Sequence, residues 1–265
     1  MKNDVFDLPD SLYDFAQIPD FPHVIENLSN LAEVEDWNYQ HSVDSGGTGR
    51  PILENYIKNT YRRLATEKKI AFSSDNKFSC FDTGLISRGQ NEPIYMMFKE
   101  NTNPNIACYW HFYKFFRRGE YEVGKFAKLP DMAFYWEDPS KLIYDTRKEL
   151  VVNIEHMIMD NKARFPAPYN SMPDYNLKLY IDGCIKAAIE KVKRNYKIAV
   201  PQYFLTTGTI QLLIPLCLSA PNVADLAIVV EDYGTMYRAS TCLTLDMAIN
   251  NARLLARPDR DWLNP

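Results

Sequence analysis

Apolar residues recur every three to four positions along two long stretches of the 265-residue chain. From Asp174 to Tyr196, residues Leu177, Ile181, Ile185, Ala188 and Val192 mark one face, while Lys186, Glu190, Lys191 and Arg194 fill the others. That is the period of an amphipathic helix. Pro51 to about Thr66 repeats the pattern with Ile52, Tyr56, Tyr61 and Leu64, and a proline in the first turn gives up no helical hydrogen bond. A shorter helical stretch covers Val24 to Ala32. The last predicted helix runs from Asp246 to Ala256 and stops at Arg257-Pro258, because a residue before proline avoids helical geometry.

Other apolar runs are too short for helices. Ile70 to Ser73, Phe78 to Phe81 (joined to it through Asp75-Asn76-Lys77) and Ile94 to Phe98 predict extended segments. With the helix from Pro51 they suggest a helix-plus-hairpin of winged-helix type. The aromatic run Cys108 to Arg118 fits either period and is read as strand. Ala199 to Leu205, Ile210 to Leu218 and Asp225 to Val230 have the length of buried strands, and Tyr237 to Leu243 adds another. The predicted class is therefore α+β, with a mixed or antiparallel sheet and packed helices. Residues 1–50 form an acidic arm, and 51–265 a single α+β domain with a sub-boundary near 100.

Composition narrows the class further. An apolar fraction of 46% excludes a disordered chain, and no apolar run is long enough to span a bilayer. The acidic N-terminus lacks the basic and apolar regions of a secretory signal. Five cysteines without C-x-x-C spacing fit a reducing cytoplasm. No local zinc motif is formed by His23, His41, His111 and His156, which leaves open a divalent metal held by residues distant in sequence. The net charge of −4 divides unevenly: residues 1–50 hold 10 acids and 2 bases, so the remainder carries +4. A mildly basic body can attract a phosphate-bearing ligand, and the acidic arm can meet a basic protein partner.

Several segments together resemble a known family. They include Ile214-Pro215-Leu216-Cys217-Leu218, Ala224 to Val230, Leu243 to Ala248, Asn250 to Leu254 and Arg257-Pro258-Asp259. Upstream, Leu53-Glu54-Asn55-Tyr56, Phe81 to Leu85, Glu155-His156-Met157, Asn161 to Pro166 and Asn195-Tyr196-Lys197 through Pro201-Gln202 agree as well. Over about residues 30 to 263 the chain resembles a bacterial and fungal family of domains of unknown function. Some members are fused to OST-HTH-type RNA-binding modules, so the resemblance implies an RNA- or nucleotide-linked role and assigns no active site. The family pattern has Asn where this chain has Asp82, and Tyr where it has Ile249.

Three groups of residues can carry chemistry. On the last predicted helix Asp246, Asn250 and Arg253 share a face, flanked by Asn251 and Arg257, and present a carboxylate, an amide and guanidinium groups suited to a phosphate. The competing structural reading makes Asp246 an N-terminal cap and Arg253 a surface ion-pair partner. A second group, Asn153, Glu155, His156, Asp160, Asn161 and Arg164, offers His156 as a general acid or base. Its competing reading is a capped turn. In the third, Lys191 to Lys197 with Asn195, Gln202 and Tyr203 sets cations beside aromatics, although charges at a helix C-terminus also suit the macrodipole. Ser45-Gly46-Gly47-Thr48-Gly49 lacks the Lys-Ser/Thr of a phosphate-binding P-loop, and no G-x-S-x-G elbow appears.

The resulting expectation is an RNA- or nucleotide-processing protein that binds its ligand through Asn161, Arg164, Asn195, Lys197, Gln202, Asn250, Asn251, Arg253 and Arg257. In its enzymatic form it is a phosphodiester or pyrophosphate hydrolase using His156 and Asp246. The alternatives are a non-catalytic nucleotide- or RNA-binding module and a protein-interaction domain.

Overall fold

The computed structural model describes residues 8–39, 49–257 and 263. Part of the acidic arm, Phe6 included, and the glycine loop from Ser45 to Thr48 lie outside the described residues. The architecture is α+β, built on two five-stranded mixed sheets. By internal contact the chain divides into one unit of residues 1–38 and 43–134 and another of 39–42 and 135–265.

In the first unit, helix α1 (Leu12–Phe15) leads into the short strand β1 (Ala16–Gln17), followed by α2 (Phe21–Leu31) and α3 (Pro51–Thr66). The α3 apolar face buries Ile52, Leu53, Tyr56, Ile57, Tyr61 and Leu64, as its spacing predicts. Strands β2 (Ala71–Phe72), β3 (Phe78–Ile86), β4 (Pro93–Glu100) and β5 (Trp110–Arg117) complete a sheet of order β1-β5-β4-β3-β2. The aromatic run from Cys108 is thus a strand. The expected hairpin through Asp75-Asn76-Lys77 forms as the antiparallel pair β2–β3 at one edge of this sheet, where β3 continues into pairing with β4 and so does not stand as a separate two-stranded wing. Aromatic rings fill the core: Phe15 lies 5.3 Å from Phe98 and 6.1 Å from Trp110, centroid to centroid.

The second unit contains β6 (Glu149–Val152), α4 (Ile154–Asn161), α5 (Asp174–Arg194), β7 (Val200–Phe204), β8 (Thr209–Leu216), β9 (Leu226–Asp232), β10 (Met236–Leu243) and α6 (Leu245–Ala252). Its sheet runs β6-β10-β9-β8-β7, with β6 parallel to β10 and the other pairs antiparallel. Because side chains alternate along a strand, Leu212, Ile214, Ile228, Val230 and Tyr237 share one face and form an aliphatic core with Ile158 of α4 and Leu177, Ile181 and Ile185 of α5. Gln202 and Gln211 point to the opposite face, where Asn251 of α6 meets them.

Two expectations for the last helix are corrected. It ends at Ala252 instead of Ala256, giving way to turns in which the Leu255 N–H donates to Ala252. Consecutive amides at Asn250 and Asn251 favour other conformations than helix, and their side chains bond away from it. The N-terminal cap is Thr244, whose hydroxyl accepts from the Met247 N–H, while Asp246 sits within the first turn.

Candidate functional site: an amide row and an adjoining cleft

The polar face of the second sheet is organised by register. Gln202 pairs with Gln211 across β7 and β8, and Arg238 pairs with Glu231 across β9 and β10. Asn251 Nδ2 donates to Gln202 Oε1 at 3.1 Å, Gln202 Nε2 to Gln211 Oε1 at 2.9 Å, and Gln211 Nε2 to Glu231 Oε1 at 2.9 Å. The Tyr233 hydroxyl donates to the other Glu231 oxygen at 3.3 Å. Gln202 and Gln211 are only 1% and 5% exposed, so the row stands in a setting where an unpaired amide group costs about 1–3 kcal/mol. Each glutamine both donates and accepts within the row, which fixes its rotamer.

Beside β7 the chain forms a cleft of about 320 Å³. Asn195 closes α5, then accepts the Lys197 N–H at its Oδ1, and this tight turn sets Tyr196 and Lys197 on one wall. Arg257, beyond the turns that follow α6, lines the same cleft, whose apolar surface includes Pro201, Ala252 and Leu255. Tyr196 is 61% exposed and offers a ring to a planar group.

Of the sequence-predicted residues, the structure joins Gln202 to Asn251 directly and Lys197 to Arg257 across the cleft. Asn250 turns elsewhere: its Nδ2 donates to the Tyr39 hydroxyl at 2.6 Å, and its Oδ1 is buried without a hydrogen-bond partner among the described residues. Asp246 and Arg253 are half-buried near the two ends of α6. Asn195 is committed to shaping its turn.

The second group is placed differently. Asn153 caps α4 by accepting the His156 N–H, and His156 Nδ1 lies 3.3 Å from Asp160 Oδ2, both side chains about half exposed. The apolar side of α4 packs into the core, so this pair faces outward, and no hydrogen bond of the amide row reaches it. Asn161 is buried between the Met157 carbonyl and the Thr241 hydroxyl. Arg164 donates to the Cys242 carbonyl, where β10 runs on past its pairing with β6. Burial pushes the Cys242 thiol up to about 12 against the opposing influence of the Arg164 charge.

Sequence reasoning missed Gln211, Glu231 and Tyr39. Gln211 carried a signal, an amide inside the otherwise apolar run Ile210 to Leu218. Glu231 and Tyr39 carried none. Among the described residues, no group of three His, Cys, Asp or Glu side chains is placed to hold a metal ion, and no helix is long and apolar enough to cross a membrane.

Residues 28–262 match a family described as Domain of unknown function (DUF3825). The chain belongs to the DUF3825 family. No curated protein and no solved structure matched it. The DUF3825 span takes in β2 through β10 and α3 through α6, and with them the amide row and the cleft; α1 and β1 precede it.

Proposed function

We propose that the second unit is a binding module for a nucleotide or an RNA end, held in the cleft between the Tyr196–Ile198 turn and the residues following α6. The observation that carries this reading is the convergence of Lys197 and Arg257, about sixty residues apart in sequence, on one cleft that also has Tyr196 and an aliphatic wall. A phosphate matches the two cations, Arg257 as a planar fork and Lys197 as a point charge. A base matches the tyrosine ring and the surface of Pro201 and Leu255. The amide row supports the floor by holding Asn251, and through it α6, against β7. Free thiols at all five cysteines suit a cytoplasmic location.

Hydrolysis of a phosphodiester or pyrophosphate is the stronger form of the same reading. The outward pairing of His156 with Asp160 favours the form in which no bond is broken. Fluorescent ADP and short single-stranded RNAs titrated against the full chain test both. Binding should weaken about tenfold or more in Arg257→Ala and in Lys197→Ala, as loss of a charge-assisted contact implies. Unchanged affinity in both variants sinks the cleft assignment, and product release from labelled RNA or dinucleotides establishes the enzymatic form.

A further inference from the structure

Strand β6 is an edge of the second sheet, and its free side is unusually ready for pairing. The Asn153 N–H donates to the Ala239 carbonyl at 2.8 Å. In a parallel ladder that bond fixes the sense of every second residue: Glu149, Val151 and Asn153 turn their backbone groups toward β10, and Leu150 and Val152 turn theirs outward. Among the described residues nothing hydrogen-bonds to those outward N–H and C=O groups. The side chains of the same two residues pack at the margin of the aliphatic core, on the α5 side.

Between this edge and α5 lies a groove of about 610 Å³ with an apolar lining of Tyr144, Leu150, Val152, Ile154, Ile185 and Ile189. Its α5 wall extends from Asp182 to Lys193, roughly 16 Å at helical rise. An extended chain of four to five residues covers the same length. A strand laid beside β6 therefore satisfies the outward backbone groups and drops every second side chain into the groove. A nucleotide or a lipid tail can fill the hollow, but neither supplies donors and acceptors at strand spacing.

Charge specifies the remaining side chains. Arg147 and Lys186 stand at the lip with side chains 89% and 74% exposed, joined by Lys148 and Lys193, so the four bases exceed by one the three acids of the lining, Glu149, Asp182 and Glu190. The pair of Lys186 with Asp182 is open to solvent and contributes little, so Lys186 can exchange partners, whereas Arg147 is held by both oxygens of Asp145. On the opposite face of the sheet Arg238, in register with Val151, is exposed and makes no ion pair among the described residues. Side chains of an added strand that point away from the groove would lie over Val151, within reach of Arg238.

We propose that β6 takes up an extended peptide segment of a partner protein as an added strand, with apolar residues entering the groove and acidic residues alternating with them. This peptide site is separate from the nucleotide cleft and does not rest on it. The test uses the full chain and two synthetic hexapeptides, one alternating isoleucine with glutamate and one alternating isoleucine with lysine. The glutamate peptide should bind and slow amide exchange at Leu150 and Val152, and the lysine peptide should bind about tenfold more weakly or not at all. Val152→Pro removes an outward N–H without touching the β10 bonds and should weaken binding about tenfold. Should that variant not fold, Lys186→Glu combined with Arg238→Glu should invert the preference between the two peptides. Failure of both peptides to bind, equal affinities, or binding without protection at Leu150 and Val152 overturns the proposal. So does protection of those amides that grows with protein concentration in the absence of peptide, which makes a second copy the occupant.

Discussion

The two sheets share a plan and differ in what they bury. Each has five strands, one of them a parallel edge: β1 beside β5 in the first unit, β6 beside β10 in the second. The first encloses aromatic rings, and the buried polar groups around its β3 irregularity are satisfied close by in sequence or across one strand. Asp82 Oδ1 accepts from the Gly84 N–H at 2.8 Å, and the Thr83 hydroxyl donates to the Ile94 carbonyl at 2.7 Å. The second is aliphatic on one face and amide-lined on the other, where bonds link α6, β7, β8 and β9 in series. Local satisfaction makes the first arrangement depend on backbone conformation at a few residues. Serial satisfaction makes the second depend on register across four elements.

The sharpest way to break the first arrangement is at Gly84, which has φ of +72° where the β3–β4 register shifts between Asp82 and Ile86. A Cβ there would run into the Tyr56 hydroxyl. Gly84→Val combines an unfavourable left-handed β-branched residue with overpacking and should lower stability by roughly 3–5 kcal/mol in urea denaturation. Hydrogen exchange should quicken in β3 and β4 more than in β8 and β9; equal acceleration in both sheets would erase the contrast between local and serial control.

A somewhat smaller loss is expected from Gln202→Leu, which strands the Asn251 donor and the Gln211 acceptor, at roughly 2–4 kcal/mol for the two groups. Adding Gln211→Leu should cost clearly less than the sum of the single effects, because the second substitution removes a group already left unpaired. Additive behaviour in a double-mutant cycle would show that the amides act singly and not as a row.

The smallest effect concerns Asp82, buried in the first unit, where loss of solvation pushes its carboxyl up to about 6 from an ordinary 3.8 despite the opposing Gly84 N–H bond. The folded state therefore holds this proton more tightly than the unfolded chain. Its favourable contribution is fully present below pH 3.8 and is lost as pH rises through about 6. Asp82→Asn keeps an acceptor for Gly84 without the buried charge and should stabilise the protein at pH 7 by about 1–2 kcal/mol, with the gain vanishing near pH 4. Denaturation midpoints at the two pH values measure it, and a loss of stability at pH 7 would mean the carboxylate is favourably placed.

The long elements were legible from residue spacing because their periodicity alone implies burial. In α3 the apolar face buries Tyr61 and Leu64, and in α5 it buries Leu177, Ile181 and Ile185, as expected. Some short elements, α1, β1, β6 and α4 among them, were not. Strand β6 has four residues, is half exposed, and acquires its identity only by pairing with β10 more than eighty positions later. Of the candidate site, Lys197 and Gln202 were picked out in one group of polar residues and Asn251 and Arg257 in another. Their partners Gln211, Glu231 and Tyr39 were not, since a strand sequence does not say which residue of a neighbour stands opposite.

Taken alone, the amino-acid order determined which segments bury a face, where the four predicted helices start and stop to within a turn or so, and that a mixed or antiparallel sheet had to be packed against helices. These follow from side-chain chemistry acting over a few residues. Only tertiary structure decided that Gln202 meets Asn251, that Lys197 shares a cleft with Arg257, and that His156 turns outward beside Asp160. Those outcomes depend on register and on the path of the chain between elements, which are set by the packing of the whole unit and leave no periodic trace in the sequence.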